Sequence, residues 1–184
     1  GDVYKRQAYD PENPSQHIID MSENEIEVPE DYTREELRQD LLCYTSPVLK
    51  EDLVLTGDMT AELYISSDAP DTDFVVRVTD VDENGRSIKL ADGLLSARYR
   101  NGFARSEFLQ EGEIVCLKIR TTKLSNCFRK GHRIRVTVTS SAKNFIFPNS
   151  NTREGFASAR TVVAHNRVYH GGLHASRLTV RVEP

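Results

Sequence analysis

Residues 66–87 read SSDAPDTDFVVRVTDVDENGRS, with six carboxylates (Asp68, Asp71, Asp73, Asp80, Asp82 and Glu83) around an apolar run. Asp80 to Gly85 copies the first half of a calcium loop, D-x-D-x-N-G. Such a loop then needs a bidentate Glu at its twelfth position, and helices on either side. The twelfth position here is Ala91, and the flanking residues alternate with period two. In FVVRVTDV, Phe74, Val76 and Val78 face one way, and Val75, Arg77 and Thr79 the other. Asn84-Gly85 then stands between this run and RSIKLA. Asn-Gly accommodates the positive φ values of a type I′ turn, so the stretch reads as a β-hairpin.

The same alternation recurs outward from it. MTAELYIS sets Met59, Ala61, Leu63 and Ile65 against Thr60, Glu62 and Tyr64. IVCLKIR sets Val115, Leu117 and Ile119 against Cys116, Lys118 and Arg120. HRIRVTVT and RLTVRV do likewise with Ile134, Val136 and Val138 and with Leu178, Val180 and Val182. About eight half-buried strands without intervening helices predict an all-β fold, a jelly-roll β-sandwich. One short helix is expected in TREELRQDLL, where Thr33 and Glu36 have capping-box spacing and Leu37 and Leu41 lie four apart. Residues 8–32, with Pro11, Pro14 and Pro29, read as an extended leader over a surface. Gly1–Gln7 fits nothing that follows and is set aside as a cloning or sequencing remnant, leaving one domain over 8–184. A chain that starts without Met is expected to be a piece of something longer.

Composition narrows the function. The 184 residues carry 28 acidic and 24 basic side chains, a net charge of −4 without a basic block. That excludes the electrostatic footprint of a nucleic-acid or membrane-surface partner. No apolar run approaches the ~18 residues of a spanning helix. Cys43, Cys116 and Cys127 form neither a C-x-x-C nor a disulfide ladder. They read as free thiols in a reducing compartment, which points to the cytoplasm.

No residue set stands out as catalytic. Asp68, Asp71 and Asp73 surround Pro70 in a strand connection, where Asp side chains bond backbone N–H groups; loop carboxylates could also hold a calcium ion. His170 and His174 are four apart, but two glycines lie between them and rule out a helical zinc pair. The remaining histidines, His17, His132 and His165, are scattered. There is no G-x-S-x-G, G-x-G-x-x-G or phosphate-binding loop, so no nucleophile, cofactor or metal is assigned. Aromatics cluster in RYRNGFARSEFL (Tyr99, Phe103, Phe108) and KNFIFPNSNTREGF (Phe145, Phe147, Phe156). They either cap the ends of the core or form a docking face. An extended NFIFP would point Phe145 and Phe147 the same way.

SSDAPDTDF resembles the signature of the C-terminal domain of Xaa-Pro dipeptidyl-peptidases, cocaine esterase and α-amino-acid ester hydrolases. YDPENP, LLCYTSPVL, LTGDMTAELYISSDAPDTDF, DGLLSARYR, KGHRIRVTVTSS, PNSNT and VYHGGLHASRLTV follow the same family in the same order, over nearly all of the chain after Gln7. The resemblance implies a galactose-binding-like jelly roll. It also implies that a Ser–Asp–His triad lies in an upstream α/β-hydrolase domain absent from this chain, so no catalytic residue carries over. The implied role is that of an accessory domain of a serine peptidase or esterase, packing on the catalytic domain, shaping its active-site mouth and able to build a homo-oligomer. Asp68, Asp71, Asp73, Tyr99, Phe103, Phe147 and His170 are then the candidate interdomain contacts. SQHIIDMSE after the leader, and Tyr169-His170-Gly171 where the family commonly has Tyr-His-Asp, depart from the pattern. A free-standing carbohydrate-binding module of the same architecture is the alternative; the absence of Trp weighs against it.

Overall fold

The computed structural model describes residues 1–19 and 29–182. Among these residues are twelve strands: β1 (Val3–Tyr9), β2 (Leu42–Thr45), β3 (Leu53–Gly57), β4 (Thr60–Ser67), β5 (Asp73–Val81), β6 (Ser87–Ser96), β7 (Val115–Arg120), β8 (Leu124–Phe128), β9 (Arg133–Thr139), β10 (Ala164–Gly171), β11 (His174–Ala175) and β12 (Arg177–Thr179). One sheet runs β1-β10-β4-β12, with β7 on the other edge of β4; a second runs β2-β9-β5-β6; β3 and β8 pair separately. All named pairings are antiparallel. The expected all-β sandwich is what forms. The predicted inward rows meet between the sheets: Ala61, Leu63 and Ile65 of β4 and Leu117 and Ile119 of β7 pack against Phe74 and Val76 of β5 and Val138 of β9. Each of the Leu, Ile, Val and Phe side chains contributes roughly 1.5–3 kcal/mol on burial.

On β5 the alternation understates burial. Val75, Arg77 and Thr79, expected on the solvent side, are as buried as Phe74, Val76 and Val78. Described residues of the leader cover them. Ser15 donates its backbone N–H to Ser141 Oγ (2.8 Å), Gln16 O accepts from Arg77 Nη2 (3.2 Å), and the Tyr32 ring lies 4.5 Å from the Arg77 guanidinium. Farther along, Tyr32 N and Lys89 N bond Ser87 O and Glu30 O (2.8 and 3.0 Å). Lys89 bridges Glu30 (2.7 Å) and Asp92 (2.9 Å). Burial alone would raise Asp92; the hydrogen bond from His17 and the charge of Lys89 outweigh it and hold the carboxyl at about 2.

Three sequence expectations are corrected. Residues 3–7, set aside as foreign to the fold, belong to β1, which pairs with β10 from Val3↔Gly171 to Tyr9↔Ala164. VYKRQ carries no apolar alternation because this edge strand is held by its backbone ladder and by polar contacts such as Gln7 Nε2 to Asp40 O (2.9 Å). The predicted helix is a single 3-10 turn, Glu35–Leu37, with no side-chain cap. Thr33 Oγ1 instead accepts from Ser87 N (2.9 Å), and Glu36 pairs with Arg135 (2.5 Å). Leu37 is exposed while Leu41 is buried. The hairpin forms where expected, but its turn is of another type. Gly85 N bonds Asp82 O and Asp82 N bonds Arg86 O (both 3.0 Å). Only Gly85 of the Asn-Gly pair has positive φ, at 83°. This is a three-residue loop, a type I turn closed by a left-handed glycine. The Asp82 carboxylate accepts from Asn84 N and Arg86 N (both 2.9 Å), so it shapes the turn.

Gly85→Val is expected to cost about 1 kcal/mol or more, because a β-branched residue resists the left-handed region even though its Cβ would meet open space. A thermal melt checks this; a variant that melts with the parent places the turn's constraint elsewhere.

Candidate functional site

The connection from β4 to β5 is DAPDT, and its acids part company. Asp71 is fully buried. Its carboxylate accepts from Arg98 N (2.9 Å), Arg98 Nε (2.7 Å) and Asn149 Nδ2 (2.7 Å). The second N–H of the same amide goes to Asp73 Oδ1 (2.9 Å). Arg98 is delivered there by the chain: the β5–β6 ladder ends at Asp73↔Ser96, and a one-turn helix, Ala97–Tyr99, begins at once, with Ala97 N bonded to Thr72 O (2.9 Å). Arg98 Nη2 reaches Thr152 O (3.1 Å). A Cβ on Gly155, at φ +66°, would stand 3.2 Å from that Nη2, so the glycine both adopts the left-handed conformation and makes room for the guanidinium. Asn149 Oδ1 accepts from Asn151 N (3.0 Å), and its backbone carbonyl accepts from Tyr9 Oη (3.2 Å). Burial raises the Asp73 carboxyl, against hydrogen bonds from Ser96 and Asn149.

Above this node opens a cleft of about 310 Å³, lined by Tyr99, Phe147 and Phe156 over Asp71, Asp73 and Arg98. The Phe147 and Phe156 rings stack at 5.8 Å and 23°. Tyr99 and Phe103 lie 5.5 Å apart. Phe147, Phe156 and Phe103 are 78%, 72% and 79% exposed, so these rings do not cap the core. The NFIFP segment is not extended: Phe145 N and Ile146 N both bond Ala142 O (3.0 and 2.9 Å), and Asn144 has φ 77°. Phe145 therefore stacks on His17 (4.8 Å) and does not join Phe147. Phe108 is half-buried, with Arg98 and Arg153 packed on its ring (5.0 and 4.5 Å).

Asp68 lies apart from Asp71 and Asp73. It is bound to His165, accepting from its backbone N (2.8 Å) and facing its ring Nδ1 (2.7 Å), at the wall of a polar cavity of about 640 Å³. His170 and His174 flank a β-hairpin, with Gly172 at φ +72° in its turn. His170 meets Tyr44 edge-on (5.6 Å), while His174 Nδ1 sits 3.0 Å from Asp2 Oδ2. Among the described residues no group of three or more His, Cys, Asp or Glu could hold a metal ion. The same residues contain no helix long and apolar enough to cross a membrane. Sequence reasoning missed Arg98 and Asn149. The available signal was indirect: an Asp at a buried turn demands donors, and both lie in strings, DGLLSARYR and PNSNT, that accompany APDTD.

Residues 1–179 match the family described as the X-Pro dipeptidyl-peptidase C-terminal non-catalytic domain. The chain is 37% identical over 150 residues to cocaine esterase of Rhodococcus sp. (strain MB1 Bresler), covering 79% of this chain and 26% of that protein. Two solved structures share the fold. An aminopeptidase from the marine sediment archaeon Thaumarchaeota archaeon superposes with a TM-score of 0.90 at 23% identity, over 99% of this chain and 33% of that one. An α-amino acid ester hydrolase gives 0.85 at 21% identity, over 98% and 32%. The chain thus spans about a quarter to a third of these relatives.

Asp71→Ala removes one member of a buried pair and strands the Arg98 charge, so it is expected to cost about 3 kcal/mol or more. For a domain of this size that lowers Tm by roughly 2–4 °C per kcal/mol. If Asp71→Ala melts within a degree of the parent, the node does not support the fold. Melts with EDTA and with added Ca²⁺ are expected to superimpose; a shift of several degrees would assign the exposed Asp68 and its neighbours to an ion.

Proposed function

We propose, from the premise that this chain belongs to the family of X-Pro dipeptidyl-peptidase C-terminal non-catalytic domains, that it is the accessory domain of a larger serine hydrolase. In this reading it packs on an α/β-hydrolase domain and shapes the mouth of that domain's active site. The observation that carries the reading is the group of exposed rings Phe103, Phe147 and Phe156, with half-buried Tyr99 beside Phe103, above the hydrogen-bonded node of Asp71, Arg98 and Asn149. Single exposed apolar residues are ordinary on a monomer; stacked rings together over one cleft mark a contact surface. Tyr99, Phe103 and Phe147 make the contact, and Asp71 and Asp73 hold the loops that present them. Asp68 and His170 line other cavities and enter the reading only at its margins.

The names of the relatives, an esterase, an aminopeptidase and an amino-acid ester hydrolase, support acyl or amide hydrolysis of small substrates by the parent enzyme. The nucleophile would come from the other domain. The free cysteines Cys43, Cys116 and Cys127 support residence in a reducing compartment such as the cytoplasm.

Two measurements test the reading. The isolated chain is expected to release no p-nitroaniline from Gly-Pro or Ala-Pro p-nitroanilides and no alcohol from a short-chain ester; turnover that survives rigorous purification would overturn it. The parent's α/β-hydrolase part, purified separately, is expected to bind the chain, and Phe147→Ser with Phe156→Ser to weaken that binding at least about tenfold. Because the rings are exposed, the double variant should melt with the parent. Unchanged affinity would move the interface off this face.

A further inference from the structure

Two asparagines of the chain precede glycine: Asn84-Gly85 in the β5–β6 turn, and Asn101-Gly102 just past the Ala97–Tyr99 turn. Both pairs are exposed, and both glycines have positive φ, 83° and 117°. A Cβ on either glycine would meet nothing within 4 Å. In such a pair the backbone nitrogen reaches the preceding side-chain carbon with least hindrance, because glycine puts no Cβ in the way and adopts conformations closed to other residues. As dipeptides the two sites are equivalent. The fold makes them different.

Both glycine nitrogens are occupied in the same way. Gly85 N bonds Asp82 O (3.0 Å) and Gly102 N bonds Tyr99 O (2.9 Å), so each turn must open locally before its nitrogen can react. The carboxamides are not alike. Asn101 Nδ2 donates to Glu107 Oε2 (2.7 Å). Glu107 is itself held: its N bonds Arg98 O (2.8 Å), its carbonyl accepts from Arg100, and Arg105 Nε donates to its Oε1 (3.1 Å). The hydrogen bond from Asn101, ahead of that from Arg105, lowers the Glu107 carboxyl, so the acceptor stays ionised at neutral pH. Asn84 is tied through its backbone, N to Asp82 Oδ1 (2.9 Å); its side-chain amide has no hydrogen-bond partner among the described residues.

We propose that Asn84 is a site of spontaneous modification, the Asn-Gly pair at which the folded chain deamidates first, and that Glu107 protects Asn101. In the reaction Gly85 N attacks Asn84 Cγ. An N–C bond forms, the Cγ–Nδ2 bond breaks, and the carboxamide nitrogen leaves as ammonia, carrying the proton that Gly85 N gives up. One water then opens the cyclic imide at either carbonyl, giving aspartate or isoaspartate; nothing is oxidised or reduced. Either product sets a new carboxylate beside Asp82 and Glu83, and isoaspartate also lengthens the main chain inside the tight loop. The effect reaches the leader, because this hairpin holds it: Arg86 Nε donates to Asp31 Oδ2 (2.9 Å), and Ser87 O accepts from Tyr32 N (2.8 Å). The site lies outside the aromatic cleft and does not depend on docking to a second domain.

The test is peptide mapping of the aged chain by mass spectrometry. Trypsin places the two sites on separate peptides, residues 78–86 and 101–105. After incubation at mildly alkaline pH, conversion of Asn84 in the folded chain is expected to run at least about fivefold ahead of Asn101, the population ratio that one net hydrogen bond supports. In urea the two rates should converge, since the protection belongs to the fold. Glu107→Ala is expected to bring Asn101 up to the rate of Asn84 and to leave Asn84 unchanged, so the second site reports any loss of fold. The proposal is overturned if the two sites convert equally in the folded chain, if Asn101 leads, or if their difference persists in urea. A folded Glu107→Ala chain that still protects Asn101 overturns it as well. The comparison within the parent stands whatever that variant does.

Discussion

The carboxylate of Asp71 holds three separate pieces of chain at one point. Its partners are the backbone and guanidinium of Arg98, just past β6, and the amide of Asn149, in the long loop between β9 and β10. Asn149 in turn ties in Asp73 at the head of β5 and Tyr9 at the end of β1. A buried pair of this kind gives little net stability over a well-packed apolar substitute, since desolvation offsets the attraction. Its distinctive contribution is direction. Three donors converge on one carboxylate from fixed positions, and an apolar contact would not dictate which loops meet. The segment carrying Phe147 and Phe156 has almost no regular structure of its own, so its position follows from this node.

A comparable constraint acts on the other face of β5. A sandwich strand normally shows one face to water, yet β5 is buried on both. The cover is the described part of the leader, tied down by hydrogen bonds that Ser15 N and Tyr32 N donate and that the Gln16 and Glu30 carbonyls accept. The cost falls on Arg77, whose Nε and Nη1 find no hydrogen-bond partner among the described residues. The Tyr32 ring against the guanidinium offsets part of it, a contact worth more when desolvated than at a surface. Residues 15–16 and 30–32 of the leader are therefore part of the second sheet's packing and not an appendage lying on it.

These two features explain what could be read from the chain beforehand. Alternation located β4, β5, β7, β9 and β12, because one face of each meets the core and period two records that directly. The hairpin was legible from Asn84-Gly85, but its turn type was not. A type I turn with a left-handed Gly85 and a type I′ turn both favour Asn-Gly, and the choice rests on the Asp82 carboxylate bonding Asn84 N and Arg86 N. β1 left no mark in VYKRQ because an edge strand can be held by its ladder alone. The acids of APDTD were legible as turn residues; that both are buried was not. That depends on Arg98 and Asn149, respectively 27 and 78 residues away in sequence. Local patterns carry no information on partners at that separation.

The exposed rings bring the packing and the proposed role together. A loop selected only to close a sandwich would turn its phenylalanines inward, as the core does with Phe74 and Phe128, both fully buried. Here Phe147 and Phe156 stack on each other outside, and the groups beneath them, Asp71, Asp73, Arg98 and Asn149, are polar and already satisfied by one another. The rings cannot sink into that floor without breaking its hydrogen bonds, each expensive to lose in a buried site. The polar node thus does two things at once: it fixes the loops, and it keeps their aromatic side chains on the surface. An apolar floor would draw the same residues into the core and leave no face to offer a second domain.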